Sequence, residues 1–266
     1  MNNKYVLITG VLGGMGKSTL NKFLSEGYIV YGFDILPLKE EIKGLKYFQV
    51  DLRDKNKINE AYEIIKQDNI KLEAIISTAG IYNLDSLIEI SEDDFIKIFD
   101  INVFSIYRMN KTFLPLLKEG GKIIVVSSEL APLDPLPFTG LYAITKSTIE
   151  KYVYSLRMEL QLLGYKVVLV RPGAVDTGLL DVSTNSLDKF VNNTKIYKCN
   201  ANKFKSIVNN VEAKKVSPEV IGKLIYKINK KKNPKYVYSV NRNIGLLLLN
   251  ILPQRLQNKI IKSILK

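Results

Sequence analysis

Along the first 240 residues, short apolar runs alternate with segments of helical periodicity. Runs rich in Val, Ile, Leu and aromatic residues are what parallel strands buried on both faces require. They fall at Lys4–Gly10, Gly27–Asp34, Lys46–Asp51, Glu73–Thr78, Gly121–Ser128, Tyr165–Pro172 and Lys235–Val240. Helical patterns fill roughly 15–26, 54–68, 91–118, 139–163 and 217–231. The last begins at Ser217-Pro218-Glu219, with a capping hydroxyl, proline at the first helical position and a carboxylate in the first turn. This order predicts an α/β protein, a Rossmann-type doubly wound sheet of about seven parallel strands with helices on both faces.

No linker, repeat or low-complexity spacer divides residues 1–266, so one domain is expected. The polar stretch at about 178–215 is the least regular part and reads as an insertion able to cover a site at the carboxyl ends of the strands. Residues 241–266 form a C-terminal extension. Beyond Pro253, Leu256, Ile260, Ile261 and Ile264 share one helical face, with Arg255, Lys259, Lys262 and Lys266 largely elsewhere. Three readings stay open for it: packing against protein, a lid over an apolar substrate, or peripheral contact with an anionic membrane.

Composition narrows the chemistry. The chain has no histidine, which removes the commonest metal ligand and the commonest general base. Proton transfer falls to Tyr, Lys, Ser, Asp or Glu, and no metal is expected. One cysteine, Cys199, excludes an intramolecular disulfide. A net charge of +13 raises the question of nucleic acid, but the lysines run the whole length of the chain with no recognised nucleic-acid module, so a solvated surface is expected instead. The N-terminus lacks a signal-peptide pattern, and the longest apolar run, Gly245–Leu252, is far short of the ~20 residues that span a bilayer. A cytoplasmic protein, possible membrane contact through the tail aside, is the expectation.

Directly after the first run comes TGVLGGMGKST, which sets Gly10, Gly14 and Gly16 before a helix. Glycine permits the tight turn and close approach of a diphosphate, and the helix N-terminus offers unpaired N–H groups to it. The same letters suggest a nucleoside triphosphate P-loop. Counting back from Gly16-Lys17-Ser18, however, puts Val11 where that motif needs glycine, and Leu12 stands where the partition-type variant needs lysine. Asp34 ends the second run 18 positions after Gly16, suited to hydrogen-bond an adenosine ribose and to repel the extra phosphate of NADP. The alternative is a loop cap. Asp51 and Leu52, after the third run, either bracket the adenine or cap the next helix.

In YAITK, Tyr142 and Lys146 lie four residues apart and share a helical face. An unperturbed phenol is a poor base at neutral pH, and a neighbouring ammonium is expected to lower its pKa toward a useful range. Ser127 and Ser128 precede them, and adjacent strand residues point to opposite faces, so only one can share the site.

With these residues in place, the chain resembles the short-chain dehydrogenase/reductase family through about Val240. TGVLGGMG resembles its glycine turn, covering Thr9, Gly10, Gly14, Met15 and Gly16. STAG, ending in Ala79 and Gly80, stands in place of its Asn-Asn-Ala-Gly segment, and Asn102 matches its helical asparagine. RPGAVDT, with Pro172, Gly173, Val175 and Thr177, resembles its cofactor loop. The resemblance implies an oxidoreductase moving a hydride between NAD(H), with NADP disfavoured by Asp34, and a secondary alcohol or ketone. It implies that Tyr142 exchanges a proton with the substrate oxygen, Ser128 (favoured by spacing) positions that oxygen, Lys146 holds the nicotinamide ribose, and Asn102 connects Lys146 to a water relay. Thr177 would contact the nicotinamide amide. A homo-dimer or homo-tetramer is also implied. The apolar tail and Leu133, Leu136 and Phe138 suggest a lipid-like or steroid-like substrate. STAG replaces two asparagines by Ser77 and Thr78, whose hydroxyls can still hydrogen-bond. A catalytically silent NAD(H)-binding sensor or scaffold is the alternative, and a P-loop ATPase a remoter one.

Overall fold

The computed structural model describes residues 3–177, 187–212 and 215–266. Its strands are β1 (Lys4–Thr9), β2 (Tyr28–Asp34), β3 (Leu45–Gln49), β4 (Leu72–Ser77), β5 (Leu117–Val126), β6 (Lys166–Pro172) and β7 (Val237–Val240). All pair in parallel in one sheet of order β3-β2-β1-β4-β5-β6-β7, as the alternating pattern requires. Because successive strand residues point to opposite faces, each continuous apolar run feeds two cores. Leu7, Ile75, Ile123 and Leu169 pack on one side with helices α2 (Lys55–Gln67), α4 (Ser105–Phe113) and α5 (Gly140–Leu160). Their neighbours Val6, Ile8, Ile76, Ile124 and Val168 pack on the other with α1 (Gly14–Ser25) and α8 (Pro218–Lys230). Helix α8 starts where its sequence signals it, with Ser217 accepting a hydrogen bond from Glu219 N.

Three stretches differ from the sequence expectation. The segment 91–118 is not one helix. It runs as α3 (Glu92–Phe99), a wide π turn over Asp100–Phe104, then α4, and Pro115 closes it in a short 3-10 turn before β5 begins at Leu117. Residues 178–186 and 213–214 of the expected irregular insertion lie outside the described residues. The remainder is mostly helical, as α6 (187–193) and α7 (Lys198–Glu212). Leu187, Phe190, Ala201 and Phe204 provide the apolar side for this, and Glu89 anchors the bend between the two helices by accepting from Thr194 Oγ1 and Lys195 N. In the tail, α9 (Ile244–Ile251) precedes α10 (Gln254–Leu265). The inward face of α10 is Gln257, Ile261 and Leu265, while Leu256 and Ile264 are exposed, so the expected single face of Leu256, Ile260, Ile261 and Ile264 is corrected by about one residue around the helix. The shift places Leu265 against α7, where Asn200 Nδ2 donates to its carbonyl.

The STAG segment splits between its two hydroxyls. Thr78 Oγ1 donates to the Thr9 carbonyl at 2.6 Å and joins the ends of β1 and β4, whereas Ser77 Oγ is buried without a hydrogen-bond partner. A buried hydroxyl left unpaired costs stability, and a satisfied one contributes about 1 kcal/mol. Chemical denaturation should therefore find Thr78→Val destabilised by about 1–2 kcal/mol and Ser77→Ala neutral or stabilised. The reverse ranking would contradict this account of the strand ends.

Candidate active site

The sheet reverses its winding between β1 and β4, and the chain ends that leave these strands diverge to open a crevice. The glycine turn lies on one side of it. Gly10 holds φ +69°, and a Cβ on Gly16 would fall 1.8 Å from the Gly10 carbonyl oxygen, so strand and helix approach closer than any side chain allows. Helix α1 starts at this turn with no side-chain cap and no acidic residue in its first turn, which leaves its N–H groups and dipole for an anion. A dinucleotide diphosphate fits this cradle. A P-loop does not, since Val11 is fully buried, Lys17 points to solvent and Ser18 Oγ donates to the Pro218 carbonyl on α8.

Asp34 ends β2 beside the turn. Its two carboxylate oxygens accept from Leu12 N at 2.9 Å and Leu36 N at 3.1 Å, so it caps the loop after β2 and is tied to the glycine turn. Each oxygen keeps a lone pair for a ribose hydroxyl. Asp51 and Leu52 follow the outer strand β3. Asp51 is engaged by Arg53, which lowers its pKa chiefly through that hydrogen bond, and Leu52 packs on the core with its carbonyl accepting from Arg108. Neither is hydrogen-bonded to the glycine turn as Asp34 is through Leu12 N.

On the other side, a cavity of about 180 Å³ is lined by Met15, Gly80, Ser128, Tyr142, Lys146, Pro172, Gly173, Val175 and Thr177 among others. Thr9, Gly10, Gly14, Gly16 and Ala79 border it from the turn, where Thr9 Oγ1 accepts from Ala79 N and a Cβ on Gly14 would meet Thr177 at 2.6 Å. Ser127 Oγ donates to Glu150 Oε1 at 3.3 Å, and it is Ser128 whose hydroxyl hydrogen-bonds Tyr142. Lys146 Nζ lies 5.5 Å from the Tyr142 ring centroid and reaches the Val126 carbonyl at 3.5 Å. Asn102, in the π turn, accepts from Ile81 N at 2.8 Å, donates to the Ile81 carbonyl at 2.9 Å and to Thr145 Oγ1 at 3.2 Å. Its side chain thus holds the loop beyond β4 against α5. Gly80 is the point of closest approach, for a Cβ there would lie 3.2 Å from Asn102 Oδ1 and 3.6 Å from Lys146 Nζ.

The expected lowering of the Tyr142 pKa is not what the structure gives. Burial pushes the phenol up to about 12, only partly opposed by Ser128, and burial also brings Lys146 down to about 8. Desolvation outweighs attraction because both groups are almost wholly inside the protein, where forming either charge is costly. Tyr142 is therefore a protonated acid at neutral pH, next to an amine that changes charge close to it.

Several lining residues carry no motif. Tyr82 sets its ring edge-to-face on Tyr142 at 4.4 Å, and its position two residues after STAG was the one available signal. Phe204, Ile207 and Val208 of α7 and Leu246 of α9 close the far wall. Leu136 lines the same cavity, Leu133 lines a second one, and Phe138 packs among Phe190, Tyr197 and Phe204. Glu129, next to Ser128, is raised in pKa by burial and accepts from Asn243 N at 2.6 Å, fastening the start of α9 to the site.

A doubly wound parallel sheet with a glycine turn, an acidic strand end and a buried Tyr–Lys–Ser group defines a dinucleotide-dependent oxidoreductase. Residues 4–209 match the short chain dehydrogenase family model. The chain is 28% identical over 250 residues to a 3-ketodihydrosphingosine reductase of Bacteroides thetaiotaomicron, covering 93% of this chain and 91% of the relative. It is 31% identical over 185 residues to an NADPH-dependent 1-acyldihydroxyacetone phosphate reductase of Schizosaccharomyces pombe, covering 65% and 60%. A solved short chain dehydrogenase family protein of Francisella tularensis superposes with a TM-score of 0.75 at 26% identity, covering 90% of this chain and 97% of that one. The chain belongs to the short chain dehydrogenase family, NAD(P)-dependent oxidoreductases of alcohol and keto groups.

The pKa of Lys146 yields a stability test. Its folded value, about 8, lies below the ordinary 10.5, so keeping it charged costs the fold stability below pH 8, and that cost fades as pH rises from 8 to 10.5. Lys146→Met should gain on the order of 2 kcal/mol in denaturant at neutral pH, lose that advantage above pH 10.5, and lose turnover. A variant less stable than wild type at neutral pH contradicts the dominance of burial.

Proposed function

We propose that this chain transfers a hydride between NAD(H) and a lipid-like ketone or secondary alcohol. The observation that carries the reading is the buried Tyr142 hydroxyl, bonded to Ser128 and facing a cavity walled by Leu130, Leu136, Phe204, Ile207, Val208 and Leu246. An apolar chamber with a few convergent polar groups suits a long-chain or ring ketone. Two relatives are named as reductases of 3-ketodihydrosphingosine and of 1-acyldihydroxyacetone phosphate, which supports a lipid-like substrate here.

The backbone of Gly10–Gly16 would hold the diphosphate, Asp34 the adenosine ribose, Lys146 the nicotinamide ribose, and Pro172–Thr177 the nicotinamide end. The bound dinucleotide supplies or accepts the hydride. Ser128 holds the substrate oxygen, and Tyr142 gives it a proton in reduction or takes one in oxidation. While charged, Lys146 stabilises the phenolate that proton donation leaves behind. Asn102 is a positioning residue that keeps α5 and the β4 loop in register. NAD(H) is favoured over NADP(H) because a ribose phosphate at the end of β2 would meet the fixed Asp34 carboxylate. We further propose a homo-oligomer, supported by the exposed Phe104, Tyr107, Tyr154 and Met158 of the π turn, α4 and α5, and a monomer in analytical ultracentrifugation would remove that part.

Titration of NADH and NADPH, followed by turnover of long-chain ketones, tests the reading. NADH should bind at least about tenfold tighter than NADPH, and Asp34→Ser should narrow the gap by about 1–2 kcal/mol. Tyr142→Phe should bind NADH normally yet slow reduction roughly 10²- to 10⁴-fold. Undiminished turnover in Tyr142→Phe removes the proposed acid. Tight NADH binding without turnover of any ketone or alcohol would favour the silent sensor.

A further inference from the structure

The positive charge of this protein is segregated. Lysines run along the whole chain, but the acidic residues stop at Glu219: eleven of the 39 Lys and Arg residues, and none of the 26 Asp and Glu residues, lie in the last 47 positions. That stretch alone supplies eleven of the +13 net charge. Its end, residues 241–266, forms α9 and α10, each with one side already used. On α9, Leu246 walls the Tyr142 cavity and Leu249 faces Leu130 and Leu133 across the second cavity. On α10, Gln257, Ile261 and Leu265 face the protein.

The outward sides are apolar and cationic. Ile244, Leu248 and Ile251, spaced i, i+4 and i+7 on α9, are 71%, 61% and 78% exposed. Leu256 and Ile264 of α10 are also exposed, interleaved with exposed Arg255, Lys259, Lys262 and Lys266. Among the described residues no ion pair engages these four cations. No described helix is long and apolar enough to cross a membrane. A short helix pair with an apolar stripe and unpaired cations is suited to lie in a lipid interface instead.

We propose that residues 241–266 dock this protein on an anionic lipid surface, with the outward sides of α9 and α10 lying in the headgroup region. Charge complementarity chooses this occupant. A nucleic acid would engage the lysines but gain nothing from Ile244, Leu248 and Ile251, and a second copy would set two strongly cationic tails against each other. Anionic lipid satisfies both surfaces at once, at about 1 kcal/mol per cation near the headgroups. Because α9 walls the Tyr142 cavity from its other side, the helix on the lipid is also a wall of the site, held there by Glu129 through Asn243 N. The docking rests on the tail alone and stands independently of the substrate proposed above.

Flotation of the full chain with phosphatidylcholine vesicles, with and without phosphatidylglycerol, at physiological salt is the test. NADH binding in the same preparations reports the fold and site separately. Wild type should float only with the anionic vesicles. Ile244→Ser/Leu248→Ser/Ile251→Ser should weaken partitioning at least roughly tenfold, and Arg255→Gln/Lys259→Gln/Lys262→Gln roughly 100-fold, both with NADH binding retained. No flotation of wild type overturns the proposal. So does binding that is indifferent to the apolar triple variant but competed by single-stranded DNA, which indicates simple polyanion adhesion. Dissociation of an oligomer by the apolar variant in analytical ultracentrifugation, without lipid binding, would assign the stripe to a second copy.

Discussion

Asn102 ties together the two halves from which the site is made. Fully buried in the π turn, it clamps the Ile81 backbone by two hydrogen bonds and reaches Thr145 on α5 with a third. The loop it clamps carries Gly80 out of β4, and the helix it reaches carries Tyr142 and Lys146. That tie helps set the register of a loop and a helix that are distant in sequence, together with the backbone hydrogen bond from Asp85 N to the Phe138 carbonyl. The wide turn is the structural cost of placing an amide there, and such turns occur often at functional sites. The glycines at positions 10 and 16 serve the same end, since a Cβ at either would force backbone apart, and at Gly80 a Cβ would crowd Asn102 Oδ1.

Within this frame, burial governs the electrostatics. A surface Tyr–Lys pair would show mutual stabilisation of charge, with phenol lowered and ammonium raised. Here the low-polarity surroundings penalise both charges, so the phenol stays protonated and the amine sits close to its own titration. Proton donation to a substrate oxygen suits the resting state of such a phenol, and the lysine charge becomes the means of stabilising the phenolate as it forms. In a chain without histidine this is the acid chemistry available.

The sheet was legible because parallel strands buried on both faces leave continuous apolar runs, and all seven appear within a few residues of their expected places. The glycine turn and the Tyr142–Lys146 pair were legible because their spacing carries their geometry. What lacked a periodic or spaced signature was harder to read. The π turn interrupts a pattern that looks helical throughout, and α6 and α7 hide in a polar stretch whose few apolar residues meet partners distant in sequence. Leu246 joins the site only through tertiary contacts, as does the bond by which Glu129 accepts from Asn243 N. The sign of the Tyr142 shift could not be read either, because the sequence shows which charges are neighbours but not how deeply they are buried. The tail was read one residue off around α10 since apolar residues occur on both of its sides, and only packing against α7 decides which side turns inward.

The central claim is that Tyr142 is a buried, protonated acid whose effectiveness follows the charge on Lys146. The most direct test is the pH dependence of kcat/KM for ketone reduction under pre-steady-state conditions. The rate should be level through neutral pH and fall on the alkaline side as Lys146 loses its proton near 8. A rate that climbs steadily from acid to alkaline pH would contradict the claim, for it would show that the deprotonated phenol, and not the protonated one, is the working form in reduction.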